Sequence, residues 1–250
     1  MGLSSNSIIH FTSTKDSLKG ILSNDFHVKY CIEDVILGDK NTTYIAPMVS
    51  FCDIPLSEVK NHIENYGSYG IGLSKEWAIK QRLNPVVYVE KKSFFSESLL
   101  ELFRSTYDAQ MHETKATHGL QVFSHIKNYE SDLFRKNKEP KRNYRFSDER
   151  EWRYIPSYSD AFDDEEKRFS FPSKKEFQTP EQKAYYNDRI KHLKLMFEPN
   201  DIKYIIINDE SEIGEFIDFL RHVKGKNYSL HDVERLTRRI ITTEQIYSDF

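Results

Sequence analysis

Residues 66–77 have the sequence YGSYGIGLSKEW, and the fold is expected to form around this stretch. Its glycines, Gly67, Gly70 and Gly72, allow the backbone to turn sharply or to approach another group closely. Ser74 is a candidate N-cap, because its hydroxyl can accept a hydrogen bond from the first turn of a helix. The stretch therefore predicts a strand rich in Gly and Tyr that runs into a capped helix.

Strand and helix patterns continue on both sides of this stretch. Residues 7–11 favour a strand, and a capping box at Ser13 and Asp16 predicts the helix that follows. Residues 43–54 are β-branched and apolar around Pro47, which favours an edge strand or a bulge. The other predicted elements are a helix over 58–65 capped by Ser57, strands over 85–89, 151–155 and 203–207, and helices over 97–107 and 213–220.

The elements are interspersed but do not alternate as strand–helix–strand units, so the predicted class is α+β. A chain of 250 residues is expected to form a single domain. Its core is expected over about 1–156 and 195–224. Residues 157–194 are expected to be a loop or insertion, and 225–250 a helical C-terminal tail.

Composition excludes several classes of protein. The net charge of −3 argues against a surface that attracts nucleic acid over its whole extent. Two cysteines, Cys31 and Cys52, cannot build a disulfide framework, so both thiols are expected to be reduced. No signal peptide and no long apolar stretch is present, which predicts a cytoplasmic protein.

Motif searches exclude further chemistries. The sequence contains no phosphate-binding Gly-rich motif, no HExxH or CxxC zinc motif and no GxSxG nucleophile motif. No metal is therefore expected. Three features remain: His10-Phe-Thr12 on the first strand, the Tyr66–Ser74 segment, and Glu149-x-Glu151 leading into a strand. Side chains alternate along a strand, so both carboxylates are expected on one face.

In this order the three features resemble the His–Tyr–Glu arrangement of the ADP-ribosyltransferase fold, including its DarT-type members. The resemblance implies a split β-sheet core with flanking helices, and NAD as substrate. It implies that His10, Thr12, Tyr66, Tyr69 and Ser74 bind NAD. It also implies catalytic carboxylates at positions 151 and 149, since a developing cation is stabilised by a preorganised negative charge.

The chain also resembles the AbiGi abortive-infection family. The resemblance lies in residues 10–12 (HFT), 47–56 (PMVSFCDIPL), 66–77, 84–86 (NPV) and 149–153 (EREWR). It covers about the first 155 residues, with a weaker similarity over 195–220. It implies a role in phage defence, in a toxin–antitoxin pair, with a cognate toxin or antitoxin as partner.

A basic stretch precedes the candidate Glu. Its cations are interleaved with Tyr144, Phe146 and Trp152, a mixture that can hold phosphates and stack on unpaired bases. These cations are Lys136, Lys138, Lys141, Arg142, Arg145, Arg150 and Arg153. The sequence predicts that they bind RNA, DNA or another acceptor, with a solvated charged loop as the alternative.

Two functional hypotheses follow. The first is transfer of ADP-ribose from NAD to nucleic acid or protein, with Glu151 as the main catalytic residue. The second is a non-enzymatic antitoxin or RNA-binding partner that keeps the transferase scaffold. Each motif also has a simple structural interpretation: His10 and the tyrosines as packing residues, the glycines as a bulge, and Glu149 and Glu151 as ion-pair partners.

Overall fold

The structure is a computed structural model, and it describes residues 5–108, 113–134, 139–157 and 172–249. The strands are β1 (Ser7–Thr12), β2 (Phe26–His27), β3 (Lys29–Leu37), β4 (Lys40–Cys52), β5 (Tyr69–Ser74), β6 (Asn84–Pro85), β7 (Val87–Val89), β8 (Ile126–Asn128), β9 (Glu130–Leu133), β10 (Lys141–Arg145), β11 (Glu151–Tyr154), β12 (Lys194–Leu195), β13 (Ile202–Ile207) and β14 (Ile240–Thr242).

The helices are α1 (Lys15–Asn24), α2 (Lys60–Tyr66), α3 (Lys75–Lys80), α4 (Phe94–Asp108), α5 (Glu113–Phe123), α6 (Pro180–Arg189), α7 (Ile213–Lys224), α8 (Leu230–Thr237) and α9 (Thr243–Asp249). Short 3-10 helices lie at Leu56–Glu58, Phe146–Glu149, Lys174–Glu176 and Glu210–Glu212. Helices and strands are mixed without regular alternation, which confirms the α+β class. Among the described residues, no helix is long and apolar enough to cross a membrane.

The chain divides into two compact units. The first comprises residues 1–27, 50–83 and 195–250, and the second comprises 28–49 and 84–194. The single domain expected from the sequence stays a prediction, so each unit is described by itself.

The first unit is built on a sheet with the order β14-β13-β5-β1, and the Cys52 end of β4 pairs beside β1. β14 runs parallel to β13, whereas β5 is antiparallel to both of its neighbours. Ile9, Ile63, Ile206 and Ile246 belong to the core cluster of this unit. The Gly/Tyr strand predicted from the sequence therefore lies in the middle of a sheet, paired on both sides.

The second unit is organised around β4, which pairs with β3 along its length and lies next to β11 in the order β4-β11-β6. Pro47 is paired with Tyr30 of β3. Pro47 therefore lies in an interior strand, and the expectation of an edge strand is wrong. The core of this unit includes Leu37, Leu99 and Ile126, which come from β3, α4 and β8.

Side-chain caps explain where several helices begin. Ser74 accepts a hydrogen bond from the amide of Trp77 at 3.1 Å, which confirms its predicted role at the start of α3. The cap of α1 is Thr14, which accepts from the amide of Ser17, so the predicted cap at Ser13 is one residue too early. Helix α2 begins at Lys60 after a 3-10 turn, without the predicted cap at position 57.

Two predicted segments contain more structure than expected. Residues 158–171, part of the predicted loop or insertion, lie outside the described residues. The rest of the predicted insertion includes α6, which begins with a capping box between Thr179 and Gln182 and has Pro180 in its first turn. The predicted helical tail contains α8 and α9 and also the strand β14.

The glycine at position 72 has a packing role that predicts the effect of substituting it. A Cβ at Gly72 would lie 2.8 Å from Cδ2 of Tyr204, its cross-strand neighbour, whereas a Cβ at Gly20 in α1 would meet nothing within 4 Å. We expect Gly72→Ala to lower the free energy of unfolding by about 1–3 kcal/mol, because the added methyl overpacks the strand. Gly20→Ala is expected to be neutral or stabilising by up to about 1 kcal/mol. Urea unfolding of both variants measures this difference, and equal stability of the two would contradict the packing role of Gly72.

Candidate functional site

A group of charged side chains in the second unit forms the candidate site, which we name the carboxylate cluster. β11 carries two of its members on one face, because alternate residues of a strand point the same way. The others come from β3, from β8 and from the 3-10 helix that precedes β11. The members are Glu33, Lys127, Glu149, Glu151 and Arg153.

The guanidinium of Arg153 is the centre of this cluster and is fully buried. Its Nε donates to Oε1 of Glu151 at 2.6 Å, and Nη2 lies 3.1 Å from Oε2 of Glu33. Its Nη1 donates to the hydroxyl of Tyr44 at 2.7 Å and to the carbonyl of Ser124 at 2.8 Å. The charge of Arg153 and its N–H donors are thus matched by ion-pair and hydrogen-bond partners, as a buried arginine requires.

Lys127 joins the two candidate carboxylates. Its Nζ lies 2.8 Å from Oε2 of Glu149 and 2.6 Å from Oε2 of Glu151, and it sits 4.5 Å from the ring centroid of Phe146. Glu149 belongs to the 3-10 helix, and Arg150 after it has a left-handed φ of 46°. The expectation that both carboxylates lie on one strand is therefore wrong, because Glu149 precedes β11. Its carboxylate joins the same cluster because it pairs with Lys127, which also pairs with Glu151.

These contacts determine the ionisation of Glu151. Burial alone would raise the pKa of its carboxyl group, but Arg153 and Lys127 outweigh burial and hold the pKa well below its usual range. Both carboxylate oxygens of Glu151 accept hydrogen bonds. Oε1 and Oε2 each accept one from Arg153, and Oε2 accepts another from Lys127. A carboxylate with so low a pKa is a weak proton acceptor, because a general base works best with a pKa near the working pH.

Two tyrosines complete the surroundings of the carboxylate cluster. The hydroxyl of Tyr88 accepts a hydrogen bond from the amide of Glu151 at 2.7 Å, and the hydroxyl of Tyr44 donates to the carbonyl of Ile126 at 2.8 Å. Burial raises the pKa of both Tyr44 and Tyr88, so both hydroxyls remain neutral. Ion pairs and hydrogen bonds thus link these side chains into one network around β11.

The first unit holds the residues predicted to bind NAD. His10 on β1 has Nδ1 2.8 Å from the carbonyl oxygen of Ser50, and its ring meets those of Phe26 and Phe51 edge-on at 5.2 and 5.7 Å. Burial lowers the pKa of His10, which keeps the imidazole neutral near pH 7. His10 is half-buried, and its ring packs against two aromatic side chains. Thr12, at the end of the same strand, lies opposite Tyr69.

The tyrosines of the Gly/Tyr segment have different positions. Tyr69 begins β5, and its hydroxyl donates to Oε1 of Glu212 at 2.9 Å. Burial and then Glu212 raise the pKa of Tyr69 to about 12. Tyr66 lies at the end of α2, not in the predicted strand, and stacks on His62 with centroids 5.3 Å apart. Ser74 caps α3, so His10, Tyr66, Tyr69 and Ser74 all have partners within the fold of this unit.

His10 and Tyr69 belong to the first unit, and Glu151 belongs to the second. The backbone space that Gly72 provides is taken by the ring of Tyr204. NAD binding therefore stays a prediction. Among the described residues, no group of three or more His, Cys, Asp or Glu side chains could hold a metal ion.

The predicted acceptor-binding cations separate into three environments. Lys141, Arg142 and Arg145 are exposed on β10, and Arg142 pairs with Asp132. Arg150 is half-buried at the end of the 3-10 helix. Arg153 is fully buried, so it is not placed to contact a phosphate at the surface. The predicted members at positions 136 and 138 lie outside the described residues.

Sequence reasoning missed four participants in the carboxylate cluster: Glu33, Tyr44, Tyr88 and Lys127. None belongs to a recognisable motif, and Tyr44 lies 109 residues before Arg153 in the chain. The only local signal was the Ile-Lys-Asn sequence at 126–128, where a lysine is flanked by residues that are buried in the structure. A lysine in a short strand is common enough that the pattern alone does not identify it.

The burial of Arg153 predicts a large effect of removing its charge. We expect Arg153→Met to lower the free energy of unfolding by about 3–5 kcal/mol, because Glu151 and Glu33 lose their buried counter-charge. Arg145→Met, at an exposed position of β10, is the matched control and should change stability by less than about 0.5 kcal/mol. Chemical denaturation followed by circular dichroism measures both variants. Equal, small losses would show that the cluster does not stabilise the protein.

Comparison with known proteins gives a consistent family. The family model for the abortive phage resistance protein AbiGi, which carries the label antitoxin, matches residues 24–208. The abortive phage resistance protein AbiGi of Lactococcus lactis subsp. cremoris is 26% identical over 242 residues, covering 88% of this chain and 96% of that protein. No solved structure shows significant similarity to the chain.

The matched region contains the carboxylate cluster and the Gly/Tyr strand, and it covers more than half of the chain. The chain therefore belongs to the AbiGi family of abortive phage resistance proteins.

Proposed function

We propose that this protein acts in abortive phage resistance as a non-catalytic antitoxin that binds and neutralises a cognate toxin protein. The family description as an antitoxin gives the starting point. The observation that carries the proposal is the state of Glu151, whose two oxygens are occupied by Arg153 and Lys127. The carboxylate best placed for catalysis is thus already neutralised by cations of the same unit.

The energetics favour this structural role. A carboxylate that stabilises a cationic transition state contributes most when its charge is not compensated by a nearby cation. In the carboxylate cluster the side chain of Arg153 has no exposed surface and that of Lys127 has 12%. Releasing Glu151 for chemistry would leave buried cations without their partner, at a cost of several kcal/mol. An antitoxin needs only a stable surface, which the ion pairs help to maintain.

Expression in bacteria tests the antitoxin role. We expect the chain alone to leave growth unchanged, and co-expression with its cognate toxin to restore the growth that the toxin stops. The measurement is colony count with separately inducible genes. A frameshifted gene, which makes the transcript without the protein, is the matched control and should not rescue.

Growth arrest by the chain alone, relieved by Glu151→Gln, would overturn the antitoxin proposal. Failure of the chain to rescue growth, although it is soluble and folded, would also count against it.

The second candidate is transfer of ADP-ribose from NAD to nucleic acid or protein. Its support is the persistent negative charge of Glu151, since the low pKa keeps this carboxylate ionised at neutral pH. The ordered His10, Tyr69 and Glu151 of the sequence resemble the residues of that enzyme class. For this activity the carboxylate would have to exchange its contacts with Lys127 for contacts with the substrate ribose.

Labelled NAD distinguishes this candidate from the antitoxin. We expect no transfer of label to total RNA, DNA or protein by the purified chain, with or without extract of phage-infected cells. Label that disappears in Glu151→Gln and His10→Ala, but persists in Glu139→Gln at an exposed position, would establish the transferase. The measurement is retention of label on each macromolecular fraction after separation from free NAD.

A further inference from the structure

The hairpin of β9 and β10 in the second unit forms a two-stranded sheet of its own. β10 has four exposed residues of five, and three of them are the cations Lys141, Arg142 and Arg145. Its partner strand β9 ends next to Phe134, whose side chain is 66% exposed. The hairpin thus presents charge and a large apolar ring together at the surface.

The backbone of the hairpin is held in shape by one acidic residue. The pairing shifts register between Lys141 and Tyr144, and Asn143 in this bulge has a left-handed φ of 51°. Oδ1 of Asp132 accepts a hydrogen bond from the amide of Asn143 at 3.2 Å, and Oδ2 pairs with Arg142. Asp132 therefore fixes the bulge and engages Arg142, whereas the cations on either side of it, at positions 141 and 145, are exposed.

Aromatic rings accompany these cations. The guanidinium of Arg145 lies 5.8 Å from the ring centroid of Tyr129, which is 41% exposed, just before β9. Tyr144 meets Phe146 edge-on at 5.1 Å and is half-buried. The side chain of Phe134 is mostly exposed, so its ring face is accessible to a ligand.

This combination fits one class of ligand better than others. Cationic side chains contact phosphates, and exposed ring faces stack on bases that are not paired. A duplex keeps its base faces stacked inside the helix, so only a single strand can use both features. We propose that the β9–β10 hairpin binds single-stranded nucleic acid, with Tyr129 and Phe134 stacking on bases and Lys141 and Arg145 contacting phosphates. This inference does not rest on the antitoxin function.

Fluorescence anisotropy of the full chain with three labelled ligands tests the proposal. The ligands are a twelve-nucleotide mixed-sequence RNA, the same sequence as single-stranded DNA, and the RNA duplex. We expect both single strands to bind more tightly than the duplex. Tyr129→Ala and Phe134→Ala should each weaken binding of single strands by about tenfold, the loss typical of one stacked base. Lys141→Ala combined with Arg145→Ala should reduce the slope of log affinity against log salt by about 1.4, or 0.7 for each lost phosphate contact.

Helix α6 provides a control with the same chemistry at another place. Arg189 lies 5.7 Å from the ring centroid of Tyr185, which is 58% exposed, so this pair resembles Arg145 and Tyr129. Tyr185→Ala combined with Arg189→Ala should leave the affinity for single strands unchanged. The altered side chains are exposed, apart from the half-buried Arg189, and thermal unfolding of each variant verifies that the fold is intact.

Three results would overturn the proposal. The first is absence of binding by the wild-type chain at low salt. The second is an equal loss in the α6 control, which would indicate attraction by general surface charge. The third is that hairpin variants keep their affinity for RNA and DNA but lose binding to the toxin protein. That result would show that the hairpin binds a protein partner.

Discussion

The pairing of Arg153 with Glu151 is the interaction on which the second unit depends. A guanidinium without any exposed surface must have its charge balanced and its N–H groups hydrogen-bonded, or folding would cost many kcal/mol. Glu151 balances the charge from two residues away on the same strand, and Glu33, Tyr44 and Ser124 satisfy the remaining donors. Since these partners come from distant parts of the chain, one side chain fixes how β3, β4 and β11 are assembled.

The same interaction changes how the candidate site is interpreted. A Glu-x-Glu sequence before a strand suggests two free carboxylates, yet Lys127 and Arg153 hold these side chains in ion pairs. The low pKa of Glu151 follows from those cations, which outweigh the effect of burial. A carboxylate that stays ionised and is paired with cations suits a structural role better than the role of a general base. This is why membership of the AbiGi family and the geometry favour the same proposal, an antitoxin that works by binding.

Local features could be predicted from the sequence because their causes lie within a few residues. The cap at Ser74 and the strand that contains Glu151 are of this kind. The environment of Arg153 could not be predicted, since a run of alternating Arg and Glu is normally solvated and its partner Tyr44 lies 109 residues away. Gly72 indicated a close approach correctly, and the approaching group is Tyr204 of a later strand.

The most direct test of this account is the neutralising activity of a chain in which the central charges are replaced together. Glu151→Gln combined with Arg153→Met removes one negative and one positive charge, and paired replacement of a buried ion pair is often tolerated where single replacement is not. The account predicts that this double variant folds and still rescues growth when co-expressed with the toxin. A double variant that folds with wild-type stability but no longer rescues growth would contradict the account, because it would give these charges a role in the activity itself.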